Sequence, residues 1–191
     1  MTNWRCEIRT GVLFLFCSFA IYLLVNVAEA DVDFKTKTAT VFYVVDGDTF
    51  YLRFPNDPIE YVANLIGVDA AGWKEEGGSC YAREAGDFLR SLILNKEVTI
   101  KWDSRDKIDR RGRFLVYVEV RGKDINAEVI RGGYGWVPRR FHADRKDDYI
   151  QLEKSAREAK KGLWEACPED YSTISSPPSK PTSSARRGRG G

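Results

Sequence analysis

The 191-residue chain is 43% hydrophobic and 30% charged, and its 30 basic and 28 acidic side chains give a formal net charge of +2. This composition excludes a chain that is disordered throughout and a polytopic membrane protein, and the length predicts one compact domain. Four basic residues and no acid lie in residues 172–191, and residues 1–30 are neutral, which leaves a charge of −2 on residues 31–171. Because the domain is not basic overall, any binding of nucleic acid must come from a local site.

The N-terminus has the features of an export signal. Two arginines precede a strongly apolar run at residues 12–25, and residues 28–30 (Ala-Glu-Ala) have the small-x-small form of a signal-peptidase site. The apolar run is shorter than the roughly 20 residues of a spanning helix. We expect residues 1–30 to be a signal peptide and the protein to be secreted or periplasmic. The alternative is a membrane anchor at residues 12–27, and only an uncleaved leader would bring the protein to a membrane.

Removal of this leader would leave two cysteines, Cys80 and Cys167. In an oxidising compartment they are expected to pair, although two unrelated buried thiols remain the alternative. The one histidine, His142, is distant from both cysteines in sequence, so a zinc site is not expected. His142 is interpreted as a surface residue without a partner.

The order of predicted elements indicates the fold class. Strand-like composition occurs twice in residues 38–54, on either side of Asp46-Gly47, and once each in residues 59–68, Glu97–Trp102 and 113–120. Helical spacing of apolar residues occurs at residues 84–94, 126–131 and 149–161. Three strands, a helix, two strands and then helices predict an α+β, mainly β fold. Its expected architecture is the five-stranded Greek-key barrel of an OB-fold with about three helices.

The C-terminal end differs in composition from the rest of the chain. Residues 172–191 are rich in Ser, Pro, Arg and Gly and have too little apolar surface to fold. We expect a disordered basic tail there, which places the folded domain at residues 31–171.

Three short motifs carry charged side chains to the ends of predicted strands. Asp48 lies in the Asp-Gly turn between the first two strands, Asp69 follows the apolar run LIGV, and Arg113 ends the turn DRRGR. Each motif alone is weak, since Asp-Gly between apolar runs is a common hairpin turn. Together, two carboxylates and an arginine suit a hard cation and a phosphate group, because Ca²⁺ takes oxygen ligands and a guanidinium can fork onto phosphate oxygens.

The order of the motifs over residues 38–164 resembles that of the thermonuclease, or staphylococcal-nuclease-like, family. The motifs are VVDGDT, LIGVD, AREAGDFLRSL, KEVTI, DRRGR, INAEVIRGGYGWV and KKGLW. The positions of Cys80 and Cys167 also resemble a pattern of exported members. The resemblance implies the OB-fold and a Ca²⁺-dependent cleavage of DNA and RNA by a metal-activated water.

The resemblance assigns roles to particular residues. Asp48 and Asp69 match the two metal-binding aspartates, and Ala70 takes the place of a threonine whose backbone carbonyl helps to hold the metal. Arg113 matches one of the two arginines that stabilise the transition state. The second arginine of the family is Asn64 here, and the glutamate that acts as base or orients the water is Gly72.

These two replacements predict an impaired enzyme. A general base contributes typically 10² to 10⁴ in rate, and a charge-stabilising donor about 10² to 10³. Glu75 and Glu76 follow Gly72 in a glycine-rich loop, so either is a candidate replacement base. Whether the chain is an enzyme therefore stays open at the level of the sequence.

The expected ligand is single-stranded DNA or RNA, and no nucleotide cofactor is expected. Candidate substrate-binding residues are Arg110 and Arg111 in the DRRGR turn, and Arg139 and Phe141 in an Arg-Arg-Phe cluster, which could contact phosphate and stack on a base. We expect a monomer. The leading hypothesis is a degenerate nuclease that binds nucleic acid or another phosphate ligand. The alternatives are an active Ca²⁺-dependent nuclease and an envelope scaffold or interaction module.

Overall fold

The computed structural model describes residues 36–72 and 79–167. The predicted leader at residues 1–30 and the predicted tail at residues 172–191 lie outside the described residues, as do Glu75 and Glu76. Within the described ranges, no helix is both long enough and apolar enough to cross a bilayer.

The described residues form eight strands and four helices. The strands are β1 (Thr36–Val44), β2 (Thr49–Arg53), β3 (Tyr61–Leu65), β4 (Asp69–Ala70), β5 (Glu97–Trp102), β6 (Phe114–Val120), β7 (Lys123–Asp124) and β8 (Gly135–Trp136). The helices are α1 (Ala82–Ile93), α2 (Ile125–Arg131), α3 (Lys146–Glu158) and α4 (Leu163–Ala166).

Five of the strands close into a barrel. The antiparallel order is β3-β2-β1-β5-β6, with β7 at the end of the sheet, and a parallel pairing of β3 with β6 joins the two edges. The predicted α+β class and five-stranded OB-fold barrel are therefore confirmed. The barrel core includes Val41, Phe50 and Ile100. Alternate residues of β5 are buried, as the alternation in Glu97–Trp102 predicts.

Short elements differ from the sequence prediction. The fourth helix, α4, and the two-residue pairing of β4 with β8 were not predicted, because segments of two to four residues carry no measurable periodicity. Helix α3 begins three residues earlier than predicted and ends at Glu158 rather than at residue 161. The chain then turns at Gly162, where a Cβ atom would lie 2.3 Å from the carbonyl oxygen of Gly133. This close approach of two backbones requires glycine and separates α3 from α4.

A disulfide links the segment before α1 to the segment after α4. Cys80 lies just before α1 and Cys167 just after α4, and their Cα atoms are 6.1 Å apart. The expected pairing is therefore present in the structure. Ala71, Ala82 and Leu163 pack beside it in a second, small hydrophobic cluster, so the disulfide and this cluster hold the segment after β4 against the C-terminal helix.

Candidate functional site

The turn between β1 and β2 is built around two aspartates. The Oδ1 atom of Asp46 accepts hydrogen bonds from the backbone nitrogens of Asp48, at 3.2 Å, and of Thr49, at 2.8 Å. A Cβ atom at Gly47 would lie 2.7 Å from the Cβ atoms of both Ala70 and Ala85. Glycine is thus required for the turn to pack against β4 and α1, and this packing brings Asp48 next to Ala70.

Both carboxylate oxygens of Asp48 accept hydrogen bonds. Oδ1 accepts from Asn64 Nδ2 at 2.7 Å and from Thr49 Oγ1 at 2.8 Å, and Oδ2 accepts from the backbone nitrogen of Ala70 at 3.0 Å. Asn64 reaches this position because the β2–β3 register pairs it with Thr49, and its Nδ2 atom also donates to Thr49 Oγ1 at 2.9 Å. The neutral amide of Asn64 is therefore hydrogen-bonded to both Asp48 and Thr49.

The aspartates of the site are crowded. Burial, and after it the negative charge of Asp46, raise the pKa of Asp48 to about 7, although the hydrogen bonds from Ala70 and Thr49 oppose the rise. Asp69 lies at the rim on β4, beside Trp136 of β8. Desolvation raises its pKa, and the positive charge of Arg140 opposes this rise, while Asp46 adds to it. Such a group of carboxylates is the environment in which a bound cation would be most stabilising.

Gly72 lies beside these carboxylates. Within the part of the chain that the structure describes, the atom nearest to a Cβ built at Gly72 is Oδ2 of Asp46, at 3.7 Å, so none of the described residues excludes a side chain here. The backbone nitrogen of Ser79 donates to the carbonyl oxygen of Gly72 at 3.1 Å. Gly72 and Ser79, which flank residues 73–78, are therefore close together, whereas Glu75 and Glu76 lie outside the described residues.

Arg113 precedes β6 and is held by the turn that leads into it. Its Nε atom donates to Oδ2 of Asp109 at 2.7 Å, and Oδ1 of Asp109 accepts from the backbone nitrogens of Arg111 and Arg113. Burial opposes the ionisation of Asp109, but these hydrogen bonds outweigh it and lower its pKa. The β3–β6 register pairs Asn64 with Leu115, which places Arg113 on the same face as Asn64.

These groups meet in one cavity of about 1470 Å³, which we call the acidic cavity. Of the residues singled out in the sequence, it is lined by Asp48, Asp69, Ala70, Asn64, Gly72, Arg110, Arg111, Arg113, Phe141, His142 and Cys80. Arg139 is not among the lining residues, because its guanidinium pairs with the buried carboxylate of Glu153 at 3.0 Å. Its neighbour Arg140 lines the cavity instead.

Sequence reasoning missed Asp46 as a member of the site and treated it only as a turn residue. The spacing Asp-Gly-Asp was a usable signal, since two aspartates around one glycine must lie close together in a tight turn. It also assigned the candidate ligand contact to Arg139 rather than Arg140. Arg139 does not line the cavity because it pairs with Glu153, which is 1% exposed. Glu153 belongs to a later helix, so no local sequence pattern could have indicated this ion pair.

The expectation that His142 has no partner is wrong. Its Nε2 atom lies 3.0 Å from Oδ1 of Asp144 and 3.5 Å from Oδ1 of the buried Asp103. Among the described residues, these three side chains form a group of possible metal ligands whose atoms all lie within 4.8 Å of one another. Asp103 also accepts hydrogen bonds from Arg105, Tyr117 and Asp144. The cluster therefore ties the segment after residue 141 to the end of β5.

Comparison with known proteins agrees with the fold and the motifs. Residues 63–166 match the family model described as "Staphylococcal nuclease homologue". An uncharacterized endonuclease of Escherichia coli O157:H7 is 32% identical over 125 residues, which are 65% of this chain and 74% of that protein.

Two relatives from Bacillus are longer than the match. An uncharacterized protein of Bacillus anthracis is 28% identical over 132 residues, covering 68% of this chain and 62% of the relative. An SPbeta prophage-derived endonuclease of Bacillus subtilis is 27% identical over 130 residues, covering 65% of this chain and 43% of the relative. The chain thus spans less than two thirds of each of these two proteins.

Proposed function

The chain belongs to the staphylococcal nuclease family, and on that premise we propose that it binds single-stranded DNA or RNA in the acidic cavity with impaired hydrolysis. The observation that carries this proposal is the pairing of Asn64 with Asp48, 2.7 Å from Nδ2 to Oδ1. A neutral amide occupies the place of a transition-state cation, and Gly72 contributes no carboxylate.

A divalent cation fits the residues that are present. Asp48 and Asp69 offer carboxylate oxygens and Ala70 a backbone carbonyl, which is the donor set that Ca²⁺ prefers. The raised pKa of Asp48 supports this proposal, because a cation would offset the crowding of negative charge that causes the rise. When bound, Ca²⁺ would supply positive charge to the phosphate oxygens. Asp48 and Asp69 would hold it, and Arg113 would bind the phosphate.

The residues of this chain supply little for the chemical step. Arg113 is one guanidinium, already hydrogen-bonded to Asp109, and no carboxylate stands at Gly72 to take a proton from water. The loss of a base and of one charge-stabilising donor predicts a rate lower by several orders of magnitude, although such effects do not simply add. Binding does not require a base and retains the guanidinium of Arg113, so affinity for phosphate is expected to survive the loss of turnover.

A second candidate function is an active nuclease that uses Glu75 or Glu76 as its base. The hydrogen bond between Ser79 and Gly72 favours it, because these two residues flank the segment 73–78 and both line the acidic cavity. Export of the protein is a further proposal, supported by the disulfide between Cys80 and Cys167 and by the form of residues 1–30. We also propose that the protein is a monomer.

Two assays on the full chain separate these functions. Binding of a fluorescent single-stranded oligonucleotide is measured with Ca²⁺ and with chelator, and release of acid-soluble nucleotides from heat-denatured DNA is measured in parallel. We expect Ca²⁺-dependent binding, little release, and loss of binding in Asp48→Ala. We also expect the double variant Asn64→Arg/Gly72→Glu to gain hydrolysis by at least about 10².

Other outcomes have distinct meanings. Robust release by the unaltered chain, abolished by chelator and by Asp48→Ala, contradicts impaired hydrolysis and supports the active nuclease. In that case Glu75→Ala or Glu76→Ala should remove the activity. Absence of binding, together with a melting temperature unchanged by Ca²⁺ and by a nucleoside bisphosphate, refutes both proposals and leaves the scaffold hypothesis.

A further inference from the structure

Arg140 reaches the acidic cavity from a different wall than Arg113. Arg113 precedes β6, which pairs with β3, whereas Arg140 follows β8, which pairs with β4. Both side chains line the cavity together with Asn64 and Gly72, the two positions at which family side chains are missing. Four arginines among the described residues therefore line this cavity: Arg110, Arg111 and Arg113 from the turn before β6, and Arg140 from the segment after β8. Of these, Arg113 occupies the position that matches the family motif.

The backbone on both sides of Arg140 is fixed in place. On one side, Arg139 is anchored by its ion pair with the buried Glu153, whose Oε2 atom also accepts from the backbone nitrogen of Val137 at 2.7 Å. Lys146 Nζ then donates to the carbonyl oxygens of Arg139, at 2.6 Å, and of Phe141, at 2.8 Å. These contacts orient the loop before any ligand arrives, which reduces the entropy lost when Arg140 binds.

The charge of Arg140 acts on the acidic cavity. It is the main favourable charge on Asp69, where it opposes the rise in pKa caused by desolvation. Arg113 and Arg139 are each paired with a carboxylate, Asp109 and Glu153 respectively. In contrast, no carboxylate oxygen of the described residues lies within 4.0 Å of the Arg140 guanidinium. An exposed guanidinium on an anchored stretch of backbone is thus available to an anionic ligand at the acidic cavity.

We propose that Arg140 is a phosphate-binding residue and that it supplies to the acidic cavity the positive charge that Asn64 lacks. This inference rests on the proposed function, since it concerns the same ligand. A guanidinium offers forked donors that match two phosphate oxygens, so Arg140 and Arg113 together bind one nucleotide phosphate from two walls. The ligand class is a nucleotide phosphate, either the phosphodiester of a single strand or a terminal phosphate.

The test is calorimetric titration of the full chain with a nucleoside 3′,5′-bisphosphate at a fixed concentration of Ca²⁺, because binding can be measured without hydrolysis. The variants are Arg140→Ala and Arg140→Lys, and the matched control is Arg83→Ala, an exposed arginine of α1 that does not line the cavity. A fourth variant, Asn64→Arg/Arg140→Ala, returns a guanidinium at the family position. Melting temperatures of all variants show whether each one is folded.

We expect Arg140→Ala to weaken binding about tenfold, the typical loss for one hydrogen bond to a charged group, without a change in melting temperature. Arg140→Lys should retain part of the affinity, because the charge stays while the fork is lost. Arg83→Ala should bind like the unaltered chain, and Asn64→Arg should restore most of the affinity lost in Arg140→Ala.

Two different failures can be told apart. If the unaltered chain binds the bisphosphate and Arg140→Ala binds it as well as Arg83→Ala does, the inference is refuted and the proposed function stands. If the unaltered chain does not bind the bisphosphate, the proposed function and the inference both fail. If Asn64→Arg fails to restore affinity although Arg140→Ala has lost it, Arg140 binds phosphate but does not replace the missing arginine, which refutes the second half of the inference.

Discussion

The replacement Asp48→Asn should stabilise the metal-free protein above neutral pH and destabilise it in acid. The pKa of Asp48 is about 7 in the folded protein, raised by burial and by Asp46, against about 3.9 in an unfolded chain. Between these values the folded state holds more protons than the unfolded state, so the free energy of unfolding falls as pH rises through the window. The ionised carboxylate therefore costs stability at pH 8.

The magnitude follows from two opposing contributions. A difference of about three pKa units corresponds to at most about 4 kcal/mol, and the solvent in the open cavity reduces this to about 2 to 3 kcal/mol. Asparagine removes the charge but has one acceptor oxygen where aspartate has two. If this oxygen faces Asn64, the backbone nitrogen of Ala70 loses its acceptor, and if it faces Ala70, the amide of Asn64 loses its acceptor. In either orientation at least one hydrogen bond, of about 1 kcal/mol, is lost. Asp48→Asn should therefore raise the free energy of unfolding by about 1 to 2 kcal/mol at pH 8 and lower it by about 1 kcal/mol near pH 4.

Urea unfolding followed by tryptophan fluorescence, with chelator present, measures this difference at pH 4, 6 and 8. The exposed Asp147→Asn at the start of α3 is the control and should show no such dependence on pH. A stability difference between Asp48→Asn and the unaltered chain that is the same at all three pH values would refute the reasoning. Added Ca²⁺ should raise the melting temperature of the unaltered chain and not that of the variant.

Three further substitutions test the parts that position the site. Because the disulfide joins residues 87 apart in sequence, Cys80→Ala/Cys167→Ala should lower the free energy of unfolding by about 4 to 5 kcal/mol in urea titrations, and a loss below about 1 kcal/mol would contradict this. Glu153→Ala should cost about 1 to 3 kcal/mol, because the buried backbone nitrogen of Val137 loses its acceptor and the partly exposed Arg139 loses its carboxylate, whereas Glu158→Ala on the exposed side of α3 should have little effect. Asn126→Ala should cost about 3 kcal/mol by thermal unfolding, because it removes three buried hydrogen bonds to backbone groups.

The barrel could be predicted from the sequence because its strands are long enough to show their period. Alternation in Glu97–Trp102 identifies the inward face of β5, and the helix Ala82–Ile93 shows the spacing of a buried stripe. The two-residue pairing of β4 with β8 could not be predicted, although it sets the positions of Asp69 and Trp136. Pairings of this size are decided by which strands the barrel brings together and not by local preference.

For the candidate site, the sequence by itself determined which chemical groups are present: two aspartates and an arginine at strand ends, an amide at Asn64 and no side chain at Gly72. Tertiary structure alone decided how those groups are used. In the folded chain Asn64 is hydrogen-bonded to Asp48, and Asp46 lies close enough to raise the pKa of Asp48. Arg139 pairs with Glu153, whereas Arg140 lines the acidic cavity. The physical reason is that the pKa of an ionisable side chain, and the partner with which it pairs, depend on groups that lie a few ångströms away. In a closed barrel most of those groups are distant in sequence.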